Sequence, residues 1–197
     1  MSKQILIDYV PLDYNPLMIN EALDKNGVIR IKGTLQRANA KNQNGRIYPK
    51  NLLMREAKTY LNEFVTQRRA LGELDHPESS VVNLKNVSHN IVEMHWEGDD
   101  LKGTIEILTT PSGNIIKELM KNGIRLGVSS RGIGSVRPMT EDTVEVDEDF
   151  KLICFDIVSN PSTHGAYLNE SVNNALHVNQ LERVNSLISD FFATIGE

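Results

Sequence analysis

The sequence predicts an α+β domain built around an antiparallel, barrel-like sheet. Three observations predict it. Six or seven short stretches carry apolar residues in strand-like alternation or clusters, separated by turn residues. Two stretches, 51–65 and 110–121, carry them at helical spacing instead. Two of the strand-like stretches, 87–97 and 101–108, flank Gly98-Asp99-Asp100 and read as a hairpin.

Residues 1–26 mix apolar residues with Pro11 and Pro16 and read as a weakly structured arm or an edge element. Gly27 to Gln36 alternates like a strand, and a polar loop runs from Arg37 to Pro49. A helix over 51–65 places Leu52, Leu53, Ala57, Tyr60, Leu61 and Phe64 on one face. A short strand, Ala70 to Leu74, leads to His76, and Pro77 ends it. After the hairpin, Thr110-Pro111 starts a helix that Lys121-Asn122-Gly123 ends with a glycine cap. Ile124 to Val136 reads as a strand interrupted by glycines, followed by strands at 143–146 and 150–158. Asn160-Pro161-Ser162 breaks the pattern, and from about Leu168 the chain reads as a helix with Leu181, Val184, Ile188 and Phe191 on one stripe. The chain thus divides into an arm, 1–26, a central domain, 27–166, and a helical tail, 167–197.

Bulk composition narrows the function classes. The 197 residues suit one domain with an appended tail, and 40% of them are apolar, enough for a sizeable core. A net charge of −5 offers no basic field for nucleic acid. No apolar run approaches the ~20 residues of a membrane helix, and Met1-Ser2-Lys3-Gln4-Ile5 lacks the apolar core of a signal peptide. The reading is a soluble intracellular protein. The single cysteine, Cys154, excludes an internal disulfide and reads as a small buried hydrophobe. Neither a P-loop nor a dinucleotide fingerprint is present, and no cofactor is expected. His89, Glu93 and His95 fall on one strand face but spread over ~20 Å, too far apart for one metal ion.

Two phrases carry chemistry: Gly72-Glu73-Leu74-Asp75-His76-Pro77 and Gly127-Val128-Ser129-Ser130-Arg131-Gly132. A serine needs a neighbouring imidazole to take its proton near pH 7, and these phrases hold both parts. Alternation along a strand separates the serines. Ile124, Leu126, Val128 and Ser130 share an apolar face; Arg125, Gly127, Ser129 and Arg131 share a polar, open one. Ser129 is therefore the better nucleophile, while the backbone N–H of Ser130 and the charge of Arg131 could serve an oxyanion. Arg131 stands where the G-x-S-x-G elbow has its second glycine, which disfavours an α/β-hydrolase. Asp75 points away from His76, so an orienting acid has to come from elsewhere. Asp156, on an apolar face with Leu152, Cys154 and Val158, needs a partner and is the best candidate. His164 reads as a loop residue in preference to a triad member, and His177 as an exposed tail residue.

These phrases, with Asn44-Gly45-Arg46-Ile47-Tyr48-Pro49 before them and Phe155-Asp156-Ile157-Val158 after them, occur in an order and spacing that resemble the prohead core proteases of T-even-like tailed phages. The resemblance covers roughly residues 27–166. It implies a serine endopeptidase with a β-barrel and surrounding helices, related in fold to herpesvirus assembly proteases. It implies His76 as base, Ser129 as nucleophile and Asp156 as orienting acid, with a one-residue shift to Ser130 left open. Herpesvirus proteases use a second histidine at the third place. The implied substrates are phage scaffold, major capsid and internal prohead proteins, cut within the assembling prohead in the host cytoplasm. Self-association and self-processing are also implied, with neither nucleic acid nor membrane as partner. Cleavage after Glu, with a large aliphatic residue two positions earlier, would fit the terminal Ile195-Gly196-Glu197 as the product of a cut. Such a preference calls for a basic pocket, with Arg125, Arg131 and the lysines of the 37–50 loop as candidates. A non-enzymatic scaffold or internal capsid protein of the same fold is the alternative, favoured by the amphipathic tail.

Overall fold

A computed structural model describes residues 3–12, 28–77 and 79–159. They belong to one unit, Met1–His164. The predicted tail helix, His164, His177 and the end at Glu197 lie outside the described residues.

Among these residues are ten strands and two α-helices: β1 (Gln4–Pro11), β2 (Arg30–Arg37), β3 (Arg46–Ile47), α1 (Lys50–Tyr60), β4 (Leu71–Glu73), β5 (Val87–Glu97), β6 (Asp100–Ile107), α2 (Pro111–Lys121), β7 (Gly127–Gly134), β8 (Val136–Thr140), β9 (Thr143–Val146) and β10 (Lys151–Val158). The strands form three sheets, ordered β1-β7-β10, β2-β6-β5-β4 and β3-β9-β8. The pairings are antiparallel except β3 with β9 and a single bridge between Leu74 and Ile157, which ties the second sheet to the first. The expected barrel is therefore not closed among the described residues. The outer edge of β1 explains part of this: the Ile7 carbonyl accepts from the Asn44 side chain at 2.7 Å and from Arg46 at 3.0 Å. Side chains of the 37–49 loop thus cap the edge on which a strand would pair.

Local chemistry accounts for the elements. Thr110 caps α2 by accepting the Gly113 N–H at 3.1 Å, and Gly123, at φ +74°, ends that helix in the left-handed region. The predicted helix over 51–65 is α-helical only to Tyr60. Its last turn widens, with the Thr66 N–H reaching the Leu61 carbonyl five residues back at 3.0 Å. The strand expected over 124–136 begins only at Gly127, because the Ile124 N–H still bonds to Leu119 at the end of α2. It breaks at Ser135, whose N–H and hydroxyl both bond to Asp149, at 2.8 and 3.0 Å. The N-terminal stretch takes the edge-element form of its two readings, as β1 beside β7.

His89 and His95 do not share a face. An irregularity in β5 between Ile91 and Glu93 resets the alternation, so His89 is buried while His95 is exposed beside Glu97.

The core packs α1 against the β7–β10 pair. Val128, Phe155 and Ile157 are fully buried, and the Tyr60 ring meets Phe155 edge-on at 5.6 Å. Each such side chain contributes about 1.5–3 kcal/mol on burial. A second cluster holds Leu6, Tyr48, Leu52, Leu53 and Phe150.

Candidate active site

Register decides which side chains meet. In β7, Ser129 stands directly opposite Tyr9 on β1 and Asp156 on β10. Directly opposed residues share a sheet face, so Ser129, Asp156 and Tyr9 lie on one side. Arg131 and its partner Cys154 continue that side. Ser130 stands opposite Phe155 and Asp8, on the face that packs on α1. The alternation argument that separates the serines therefore holds.

Openness does not hold. Ser129 is 1% exposed. The Tyr9 ring lies over Gly127 on one side of it, where a Cβ would come within 1.9 Å of the ring. Arg131 fills the other side. A cleft of about 440 Å³ runs along the outer edge of β1, lined among others by Tyr9, Pro11, Gln36 and Lys41, and Ser129 does not line it.

The Asn44–Pro49 phrase turns out to anchor β1. Asn44 and Arg46 donate to Asp8 Oδ1 at 2.9 and 3.1 Å, and the Tyr48 hydroxyl donates to Asp8 Oδ2. Gly45 makes the required turn at φ +73°, against the Asp142 carbonyl.

His76 is brought beside β10 by its own segment. Leu74 bridges Ile157, and the Asp75 N–H donates to the Ile157 carbonyl at 2.8 Å. Asp75, at φ +63°, accepts the His76 backbone N–H at 2.9 Å rather than a ring proton. Neither His76 Nδ1 nor Ser129 Oγ has a hydrogen-bond partner, although both atoms are buried. Ser129 and Asp156 thus stand opposite each other and the His76 segment runs beside β10, with no hydrogen bond linking Ser129 to His76 or Asp156.

Asp156 has other partners. Its Oδ1 accepts the Glu73 N–H at 3.0 Å, and its Oδ2 lies 2.9 Å from Arg131 Nε. Burial pushes its carboxyl above the ordinary range, while the Glu73 N–H and the Arg131 charge work against that rise. Arg131 also reaches Glu73 Oε1 at 2.9 Å, the Ser79 carbonyl at 2.8 Å and Cys154 Sγ at 3.2 Å. Burial alone would lower the guanidinium pKa, but the surrounding negative groups hold it above its ordinary value.

This corrects the oxyanion and pocket expectations. The Arg131 guanidinium is fully buried and spent on Glu73 and Asp156, so it is free for neither role. β7 is the central strand of its sheet, paired on both sides from Gly127 to Ile133. Its N–H groups point in the sheet plane toward β1 or β10, so those of Ser130 and Arg131 do not face a carbonyl lying over Ser129. Of the other basic candidates, Lys41 pairs with Asp142 and Lys50 with Asp99, while Arg125 is exposed.

Sequence reasoning missed Glu73 and His89. Glu73 occupies the alternation position of a solvent-facing residue yet is fully buried. His89 Nε2 bonds to the Phe155 carbonyl at 2.9 Å, and Gly72 leaves the space for it. Burial lowers the His89 pKa to about 4. The fold therefore excludes a proton that the unfolded chain binds near pH 6.5. Stability from this group is complete above pH 6.5 and is lost as pH falls to 4, by about 3 kcal/mol at 1.36 kcal/mol per unit. Urea midpoints at pH 7 and pH 4.5 should show this fall, and His89→Gln should flatten it. Among the described residues, no three His, Cys, Asp or Glu are arranged to hold a metal ion, and no helix is long and apolar enough to cross a membrane.

The chain belongs to the prohead core protein serine protease family, whose profile matches residues 3–175. It is similar to the prohead core protein protease of Enterobacteria phage T4, with 36% identity over 141 residues, 70% of this chain. The match spans 66% of that relative's own length, just under two thirds. It is also similar to the solved structure of the bacteriophage T4 capsid assembly protease, gp21. There the TM-score is 0.71 at 28% identity, covering 82% of this chain and 100% of that one.

Proposed function

We propose that this protein is a serine endopeptidase that cleaves scaffold, capsid and internal proteins within an assembling phage prohead, after Glu, and that it processes itself. The observation that carries the reading is the placement of Ser129. Its hydroxyl is buried without a partner, opposite Asp156 on one sheet face, in a chain of the prohead protease family.

Ser129 Oγ attacks the scissile carbonyl while His76 takes its proton, then returns it to the leaving amine. Water hydrolyses the acyl-enzyme by the same route. Asp156 supports the imidazolium electrostatically. For this, His76 has to turn toward Ser129 when substrate arrives; catalytic hydrogen bonds are often loose in free enzymes and tighten in the substrate complex. The oxyanion donors come from an element other than β7, and Arg125 is the candidate for recognising the Glu side chain. The kinship in fold with herpesvirus assembly proteases belongs to this reading.

A fluorophosphonate probe tests it. The expected result is labelling of the full chain at Ser129, located by peptide mass. A folded protein that takes no label, or takes it at Ser130, would sink the assignment, and no labelling at all would favour a non-enzymatic capsid component.

A further inference from the structure

Three stretches far apart in sequence meet at one guanidinium. Arg131 contacts Glu73 and Asp156 at 2.9 Å each, and all three side chains are fully excluded from solvent. Two carboxylates face one cation, which leaves one negative charge unbalanced. Among the described residues, the other groups around them carry no charge to balance it. Burial raises the Cys154 thiol and the Tyr60 hydroxyl well above neutral pH, so both stay protonated, and His89 is neutral above about pH 4. The Ser79 carbonyl, the Asn83 N–H and the Asn86 side-chain amide also bond to the group.

A surplus buried charge is costly, and a single Arg–Asp pair would be cheaper. The placement of Glu73 suggests its use. It lies three residues before His76 on the same segment, and its N–H holds Asp156 Oδ1 at 3.0 Å. Its carboxylate accepts from Asn83 N at 3.0 Å and Asn86 Nδ2 at 3.2 Å, fastening the loop that follows His76.

We infer that Glu73 is a positioning residue of the active site, sharing the Arg131 guanidinium with Asp156 so that the Asp156 carboxylate is only partly neutralised and supports the imidazolium formed at His76. The inference rests on the roles given above to Ser129 and His76. The proton it concerns leaves Ser129 as the C–O bond forms, resides on His76, and departs on the amine as the C–N bond breaks, so no further reactant is needed. Asp75 lies beside His76 and contributes the same charge throughout the variants below.

The test is the pH dependence of fluorophosphonate labelling in the full chain. Glu73→Gln keeps the shape and the acceptor oxygen but removes the surplus charge. Its labelling rate should fall about tenfold, equivalent to ~1.4 kcal/mol of lost imidazolium support, and the acid limb of its profile should move to lower pH. A purely structural Glu73 would lower the melting temperature and leave the acid limb in place, which would overturn the inference. Asn86→Lys, at an exposed position touching Glu73, supplies a cation instead and should move the acid limb the same way. It decides the matter if Glu73→Gln does not fold, an unmoved limb again counting against the inference. Ser129→Ala separates the two levels. If it labels like wild type, the active-site reading fails; if it is silent while Glu73→Gln and wild type coincide, only the inference fails.

Discussion

Ser129→Ala will abolish cleavage of a scaffold substrate, with a loss on the order of 10⁵–10⁶-fold, the scale seen when a nucleophile is removed from a serine protease. The fold should be unaffected, since Ser129 Oγ makes no hydrogen bond that alanine would forfeit. His76→Ala should cost nearly as much, because nucleophile and base act as one unit and their losses do not add. Ser130→Ala should retain cleavage, since Ser130 lies on the face that packs against α1, opposite Phe155. Rates on a peptide carrying Ile-Gly-Glu before the scissile bond check all three. Cleavage that survives in Ser129→Ala and vanishes in Ser130→Ala would reverse the assignment.

Arg131→Met will destabilise the protein by about 3–5 kcal/mol, the cost of stranding buried charges whose partner is removed. Glu73 and Asp156 would then face each other fully buried with no cation between them. Against a typical total of 5–15 kcal/mol, that is enough to leave a substantial unfolded fraction. The sign with pH is specific. Asp156 is already raised above its ordinary range by burial, and without Arg131 it rises further. A folded-state pKa above the unfolded one means that the fold gains stability as pH falls through it. The gap between variant and wild type should therefore narrow in acid. Denaturant midpoints at pH 7.5 and pH 5 would show it, and a gap that widens in acid would mean the carboxylates are not the origin of the loss.

Much of the fold was legible because it rests on local rules. The hairpin around Gly98, the helix from Thr110-Pro111 to Gly123 and the strand at 150–158 all follow from turn chemistry and apolar spacing within a few residues. The π-type turn after Tyr60 was not legible, nor was the break at Ser135, which depends on Asp149 fourteen residues away. The shift in β5 that parts His89 from His95 comes from its register with β6 and leaves no mark in the alternation itself. Arg131 was misread for a related reason. Its polar neighbours imply an open face, and only the arrival of Glu73 and Asp156 from other strands allows a guanidinium to be buried there.

The sequence alone put Ser129 and Ser130 on opposite faces of one strand and set the order of the motifs proposed to carry the chemistry, because strand alternation and motif order are properties of the chain itself. Only the tertiary structure decided what those residues touch. Register places Asp156 opposite Ser129, a single bridge at Leu74 brings the His76 segment to the same sheet, and a fully buried Arg131 draws Glu73 into the group. Each of these contacts joins residues 25 or more apart in sequence, and such distances are closed by packing rather than by local preference.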